Sequence, residues 1–290
     1  MDEDAVRNFV AKAGDILCAY RDLAGSVLYS NKSTLKPKSI LFYGINPGYD
    51  QAAKHKVCWK IGDSLTEFAA GFPDLDSEPN KHINPIPSTE RLHKDPNLID
   101  DQQWPCVQRD GQLCYRWGIG KANYQANTRD LLKLVPPHRN VIVGNWFVLQ
   151  TRTAEGMEAE LEKLGHNYAR FLDDCWRFQQ LIFDLTQPCL LITCEDVLGR
   201  AGLRRKLRLR RDGERIFSGQ LHQGHPTYCE HFRGRWLDKF HDEKRIHVCK
   251  IPHSTWYNIL GKKYQDNLLV SDWFAHVVRS ACGESTNAEC

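Results

Sequence analysis

No stretch of the sequence approaches the ~18 consecutive apolar residues that a membrane-spanning helix needs, so no membrane partner is expected. There is no C-x-x-C pair, although the chain holds 11 cysteines. Cys18, Cys189, Cys194 and Cys249 fall inside predicted core elements. An odd total, with several thiols in such positions, reads as reduced cysteines rather than a disulfide framework. No G-x-G-x-x-G and no P-loop follows any apolar run, which disfavours a nucleotide-binding α/β protein of those kinds. Neither sign of charge dominates: the formal net charge is +3, too small to prove a nucleic-acid partner and too small to repel one. No internal repeat is visible. The opening Met1-Asp2-Glu3-Asp4 is acidic, the opposite of a secretory or transit segment. The expectation is a cytoplasmic protein.

What is present is ordinary globular composition, with 41% hydrophobic and 26% charged residues in a chain of 290. That length suffices for one large core with insertions. Residues 2–23 read as an amphipathic helix, with Val6, Phe9, Val10, Ala13, Ile16, Leu17 and Tyr20 on one face. A buried strand follows at Ser39–Ile45 and breaks into Gly44-Ile45-Asn46-Pro47-Gly48, a turn with two glycines and a proline. Ile61–Phe72 reads as a short helix. Residues from about 73 to 118 read as a long irregular insertion, with a hairpin around Arg109-Asp110-Gly111 between Cys106 and Cys114. A helix over Ala122–Leu134 is stopped by Pro136-Pro137.

Asn140–Phe147 is the second apolar strand, with Asn145 near its end. Helices are expected over Ala154–Leu164 and Ala169–Leu185. Cys189–Cys194 is the third strand, followed by a helix from Val197 to about Leu207 that carries a basic block of Arg200, Arg204, Arg205, Lys206, Arg208, Arg210 and Arg211, which could track phosphates. Ile246–Ile251 is the fourth strand and runs into Pro252-His253-Ser254-Thr255-Trp256-Tyr257. A last helix, Trp273–Ala281, is expected to be capped by Ser271 or Asp272, and a disordered tail to cover 283–290. Apolar strands separated by helices argue for α/β: a three-layer α/β/α sandwich with a central four-stranded parallel sheet, built as one domain over 1–282. The Asn46 turn, Asn145 and the His253 loop then share the carboxyl edge of the sheet, where such folds bind ligands.

Those motifs together resemble the uracil-DNA glycosylase superfamily. Gly44-Ile45-Asn46-Pro47-Gly48 is similar to the first signature of its mismatch-specific and single-strand-selective branches. Pro252-His253-Ser254-Thr255 resembles the second signature, with Ser254 where proline is usual. The resemblance spans about residues 36–282. It implies a monofunctional DNA glycosylase that flips a pyrimidine nucleotide out of the stack, hydrolyses its N-glycosidic bond and leaves an abasic site. By that resemblance Asn46 holds the attacking water. An amide does not ionise, so the rate comes from stabilising developing charge. His253 is the group to hydrogen-bond the departing pyrimidine as it becomes anionic.

Further roles follow by the same resemblance. Ile45 and Gly48 border the base, and glycine at 48 leaves room for a C5 substituent. Trp59 stacks on the base, with Phe68 as the alternative. Asn145 reads its polar edge. Ser254 or Thr255 grips a phosphate, and Trp256 and Tyr257 sit where a wedge enters the vacated stack. Arg204 and Arg205 track the DNA backbone or form a solvated helix face. His222, His225, Cys229 and His231 are zinc-type ligands, but their spacing fits no established pattern, so no metal and no cofactor are expected. The expected partner is DNA, bound by a monomer. The base remains open between uracil or thymine in a mismatch and a C5-modified, possibly glucosylated, cytosine in phage DNA. A non-catalytic DNA-binding module is the alternative of another class.

Overall fold

The computed structural model describes residues 3–28, 30, 32–45, 60–70, 128, 130–136, 138–151, 155–220, 226–252, 259–260, 262–265 and 268–283. The predicted 73–118 insertion and the 284–290 part of the tail lie outside them. The chain divides into two compact units, one of Met1–Ser33, Asn46–Ala126 and Val143–Leu181, the other of Thr34–Ile45, Asn127–Ile142 and Ile182–Cys290.

The first unit opens with helix α1, Glu3–Ile16, which buries Val6, Phe9 and Ala13. It is shorter than the 2–23 periodicity predicts, because the chain tightens into a 3₁₀ turn at Cys18–Tyr20. The apolar spacing nonetheless continues: Leu17 and Tyr20 are both buried. Phe9 meets Phe68 of α2, Ile61–Ala70, edge-on at 5.7 Å between centroids. Beyond α3, Met157–Lys163, the long α4, Tyr168–Thr186, brings Asp174 to the Tyr20 hydroxyl, which donates to it at 3.1 Å. Gly25 bridges to Leu149, and a Cβ there would lie 2.1 Å from the Val148 carbonyl oxygen, so the backbone approach requires glycine.

The main sheet runs in the order β2-β1-β3-β7-β6-β4, with β5 paired to β6, and all of it but the last three residues of β2 belongs to the second unit. Here β1 is Ile40–Gly44, β2 Val141–Asn145, β3 Leu190–Thr193 and β7 Glu243–Lys250. β1, β3 and β7 are parallel neighbours. Every residue of β1 and β3 is buried, which is why both read as unbroken apolar runs rather than alternating ones. The chain is thus mixed α/β with parallel strands at the centre of its sheet.

The expected four strands are consecutive in that order, but the sheet has seven. The extra three, β4 (Arg210–Arg211), β5 (Ile216–Gln220) and β6 (Pro226–Leu237), add an antiparallel flank. They escape a search for apolar runs because polar residues interrupt them: arginine in β4 and β6, and Ser218, Gly219 and Gln220 in β5. In β6, Phe232, Gly234 and Trp236 are buried while Arg233, Arg235 and Leu237 are exposed, a period-two pattern with one wet face. Pro226 starts the strand, where proline is tolerated.

The predicted helix Val197–Leu207 is two pieces, α5 (Glu195–Arg200) and α6 (Leu203–Lys206). Gly202, at φ 63°, turns the chain between them, in a region that glycine enters without penalty. Strands β8 (Lys263–Gln265) and β9 (Leu268–Leu269) form a separate pair ahead of α7, Val270–Ala281. This helix starts before the expected Trp273. Ser271 and Asp272 therefore lie in its first turn, and Leu269 takes the cap position without a side-chain hydrogen bond. No described helix is long and apolar enough to cross a membrane.

Candidate functional site at the carboxyl edge of the sheet

Because β1, β3 and β7 run parallel, their last residues, Gly44, Thr193 and Lys250, lie at one edge of the second unit's sheet. Two hydrogen bonds lash these ends together. The Thr193 hydroxyl donates to the Tyr43 carbonyl at 2.9 Å, and the Ile251 amide donates to the Thr193 carbonyl at 2.8 Å. Ile45 is buried just past β1, and Pro252 follows β7. From Ile45 the chain enters Asn46-Pro47-Gly48, and from Pro252 it enters His253 through Tyr257. Asn46, Gly48, Trp59, His253, Ser254, Thr255, Trp256 and Tyr257 themselves lie outside the described residues.

In the first unit, Asn145 is buried at the end of β2. The Gln179 amide nitrogen donates to the carbonyls of Asn145 at 3.2 Å and of Trp146 at 3.0 Å. Trp146 in turn stacks on Trp176 at 6.0 Å between centroids. A strand end held this firmly presents its groups in one fixed orientation. Phe68, the alternative stacking residue, is a fully buried core side chain.

Arg204 does not hang free on a solvated face. Its Nη2 donates to both Glu195 oxygens, at 2.9 and 3.0 Å, and its guanidinium lies 5.0 Å from the Phe232 ring centroid. Arg205 is exposed. The Arg204–Glu195 pair continues inward. Lys250, at the buried end of β7, pairs with Glu195 at 3.1 Å and also with the buried Glu230 of β6. Arg211 reaches Glu230 from the other side at 2.5 Å. A five-membered chain of charge thus runs Arg204–Glu195–Lys250–Glu230–Arg211. Burial raises the Glu195 pKa, but the hydrogen bonds from Arg204 and Lys250 outweigh it and leave the carboxyl below its ordinary value.

Sequence reading missed Lys250 and Glu230, and took Arg211 only as part of a basic block. The available signal was a lysine inside the apolar run Ile246–Ile251, since a buried charge demands a buried partner.

Of the His/Cys cluster, Cys229 and His231 are described. They take no common ligand geometry. Burial pushes the Cys229 thiol up to about 12. His231 instead belongs to a polar chain: its Nε2 is 2.9 Å from His247 Nδ1, and its Nδ1 is 3.2 Å from the Asp212 carboxylate, to which Arg233 Nε donates at 2.7 Å. Among the described residues no three His, Cys, Asp or Glu side chains are grouped to hold a metal ion.

No protein-family model matches this chain, and no curated protein matches it. The reading of the site therefore stands on the strand ends and on the two motifs that leave them.

Proposed function

We propose that the chain is a monofunctional DNA glycosylase that hydrolyses the N-glycosidic bond of a flipped pyrimidine. The observation that carries the reading is the common edge: β1 ends at Gly44 and β7 at Lys250 in one sheet of parallel neighbours, and the chain leaves these ends through the two glycosylase-like motifs. Ligands of open α/β sheets bind past such strand ends. In this reading the parallel strands form the middle layer of an α/β/α sandwich. Asn46 positions water, His253 stabilises the departing anionic base, and Asn145 reads the base edge. Hydrolysis of this kind needs no cofactor, because preorganised donors supply most of the barrier reduction.

Gly48 leaves the C5 side of the base open, so a C5-substituted cytosine, such as a glucosylated one in phage DNA, is the favoured substrate over uracil or mismatched thymine. The protein is incubated with duplexes carrying uracil, a thymine mismatch or glucosylated hydroxymethylcytosine, and strand scission after alkali is read on a gel. Scission of the modified duplex, abolished by Asn46→Ala, is the expected result. Intact duplexes in every lane would remove the enzymatic reading and leave a DNA-binding module.

A further inference from the structure

Beside the carboxyl ends of β3 and β7, the second unit holds a cavity of about 610 Å³. Arg204, Arg211, Arg215 and Lys250 line it, against the carboxylates of Glu195, Asp196 and Glu230. Four cations face three carboxylates, so the lining carries one net positive charge before any ligand enters.

The distribution of that charge matters more than its sum. Glu195 and Glu230 are each held between two cations of the buried chain. Neither carboxylate oxygen pair is left to repel an incoming anion at full strength. The ion pairs of Arg204 with Glu195 and of Arg211 with Glu230 each run through one nitrogen, Nη2. A guanidinium carries five N–H donors, so both retain donors for another acceptor.

Arg215 is different again. Its guanidinium carbon lies 3.4 Å from the Tyr228 ring centroid, and it makes no ion pair with a described carboxylate. Stacking fixes the plane of the guanidinium against the aromatic face while leaving its edge donors open. Phe217 packs edge-on against the same tyrosine at 5.6 Å, which holds the platform in place. A planar, pre-oriented fork with open donors, beside two more arginines, is the arrangement that suits a tetrahedral oxyanion.

We propose that this cavity binds a phosphate ester, with Arg215 as its main clamp and Arg211 and Arg204 completing the oxygen contacts. The site goes beyond the glycosylase reading and does not depend on it. The ester is either a free nucleotide phosphate or one phosphate of a nucleic-acid strand.

The full chain is titrated with inorganic phosphate by calorimetry, and with a short fluorescein-labelled single-stranded oligonucleotide by anisotropy. Arg215→Ala is the decisive variant, because among the described residues it breaks no ion pair, only the stack on Tyr228. Arg7→Ala, on the exposed face of α1, is the charge-matched control. Arg215→Ala is expected to weaken phosphate binding by roughly tenfold or more while its melting temperature stays near that of the wild type. If oligonucleotide binding falls in parallel, and weakens with added salt, the ester is a strand phosphate. If only inorganic phosphate responds, the cavity takes a free phosphate ester. Equal affinities of wild type and Arg215→Ala for both probes, or no binding of either by the wild type, would overturn the proposal. The two readings separate cleanly. A wild-type protein that binds phosphate through Arg215 but cleaves no modified duplex keeps this site and loses the glycosylase.

Discussion

Acidification should destabilise the fold between pH 6.5 and about 4, and His231 is the residue that should report it. Burial, followed by the charges of His247, Arg233 and His276, holds this imidazole down to about 4, with Asp212 opposing them. An unfolded histidine titrates near 6.5. Between those values the unfolded chain takes up a proton that the folded chain refuses, so stability is complete above pH 6.5 and is lost as the pH falls toward 4. The gap is worth at most about 3 kcal/mol, and solvent screening of the ring reduces this to about 1–2 kcal/mol. His247 is also held below its ordinary value, mainly by burial and then by Arg233, and adds in the same direction. Glu195 and Asp238 lie below their ordinary carboxylate values, so their contribution starts to be lost only below the pH 5.0 arm of the comparison. Urea midpoints of wild type and His231→Gln at pH 7.5 and 5.0 measure the effect. The wild type should lose about 1 kcal/mol across that interval, and the variant less than half of it. Equal losses in both proteins would refute the assignment of the pH dependence to His231.

Three further perturbations follow from the packing. Glu230→Gln leaves Arg211 without its carboxylate and Lys250 with Glu195 alone, and should cost about 3 kcal/mol in urea denaturation. Gly25→Ala drives a methyl into the Val148 carbonyl and should lower stability by about 2 kcal/mol or more, whereas Gly199→Ala, where an added Cβ meets nothing, should not. Thr193→Val removes the donor to the Tyr43 carbonyl and leaves a buried acceptor, which should cost about 1–2 kcal/mol, read as a shift in the denaturation midpoint.

The parallel strands were legible because burial on both faces leaves a simple signature. Ile40 to Gly44 and Leu190 to Ile192 are buried runs without a charge or a strongly polar side chain, and the strand ends fall within one or two residues of the expected positions. The antiparallel flank was not, because a strand with one wet face dilutes its apolar residues with charge. Phe232, Gly234 and Trp236 lie between Arg233 and Arg235, a pattern that reads as a basic loop unless alternation is counted. Helix lengths were over-read where a local backbone choice beat the periodicity, as at the 3₁₀ turn of Cys18–Tyr20 and at the positive φ of Gly202. At the site, the strand ends were legible from turn chemistry. The charge chain through Lys250 was not, since its five members come from α5, α6, β4, β6 and β7 and only folding brings them together. Arg204 illustrates the difference: a surface arginine in sequence, it is anchored to Glu195 and packed over Phe232.

The central proposal is that Asn46 and His253 act together on a flipped base, each in a motif that follows the end of a parallel strand, β1 at Gly44 and β7 at Lys250. Single-turnover release of free base from a glucosylated hydroxymethylcytosine duplex, followed by mass spectrometry, tests it most directly. The wild type should release the base. His253→Ala should slow release by roughly 10²–10³-fold, the cost of about 3–4 kcal/mol for losing one donor to the developing oxyanion, and Asn46→Ala should slow it at least as much. Base release that is unchanged in both variants, or absent from the wild type on this and on the uracil and thymine-mismatch duplexes, would contradict the account.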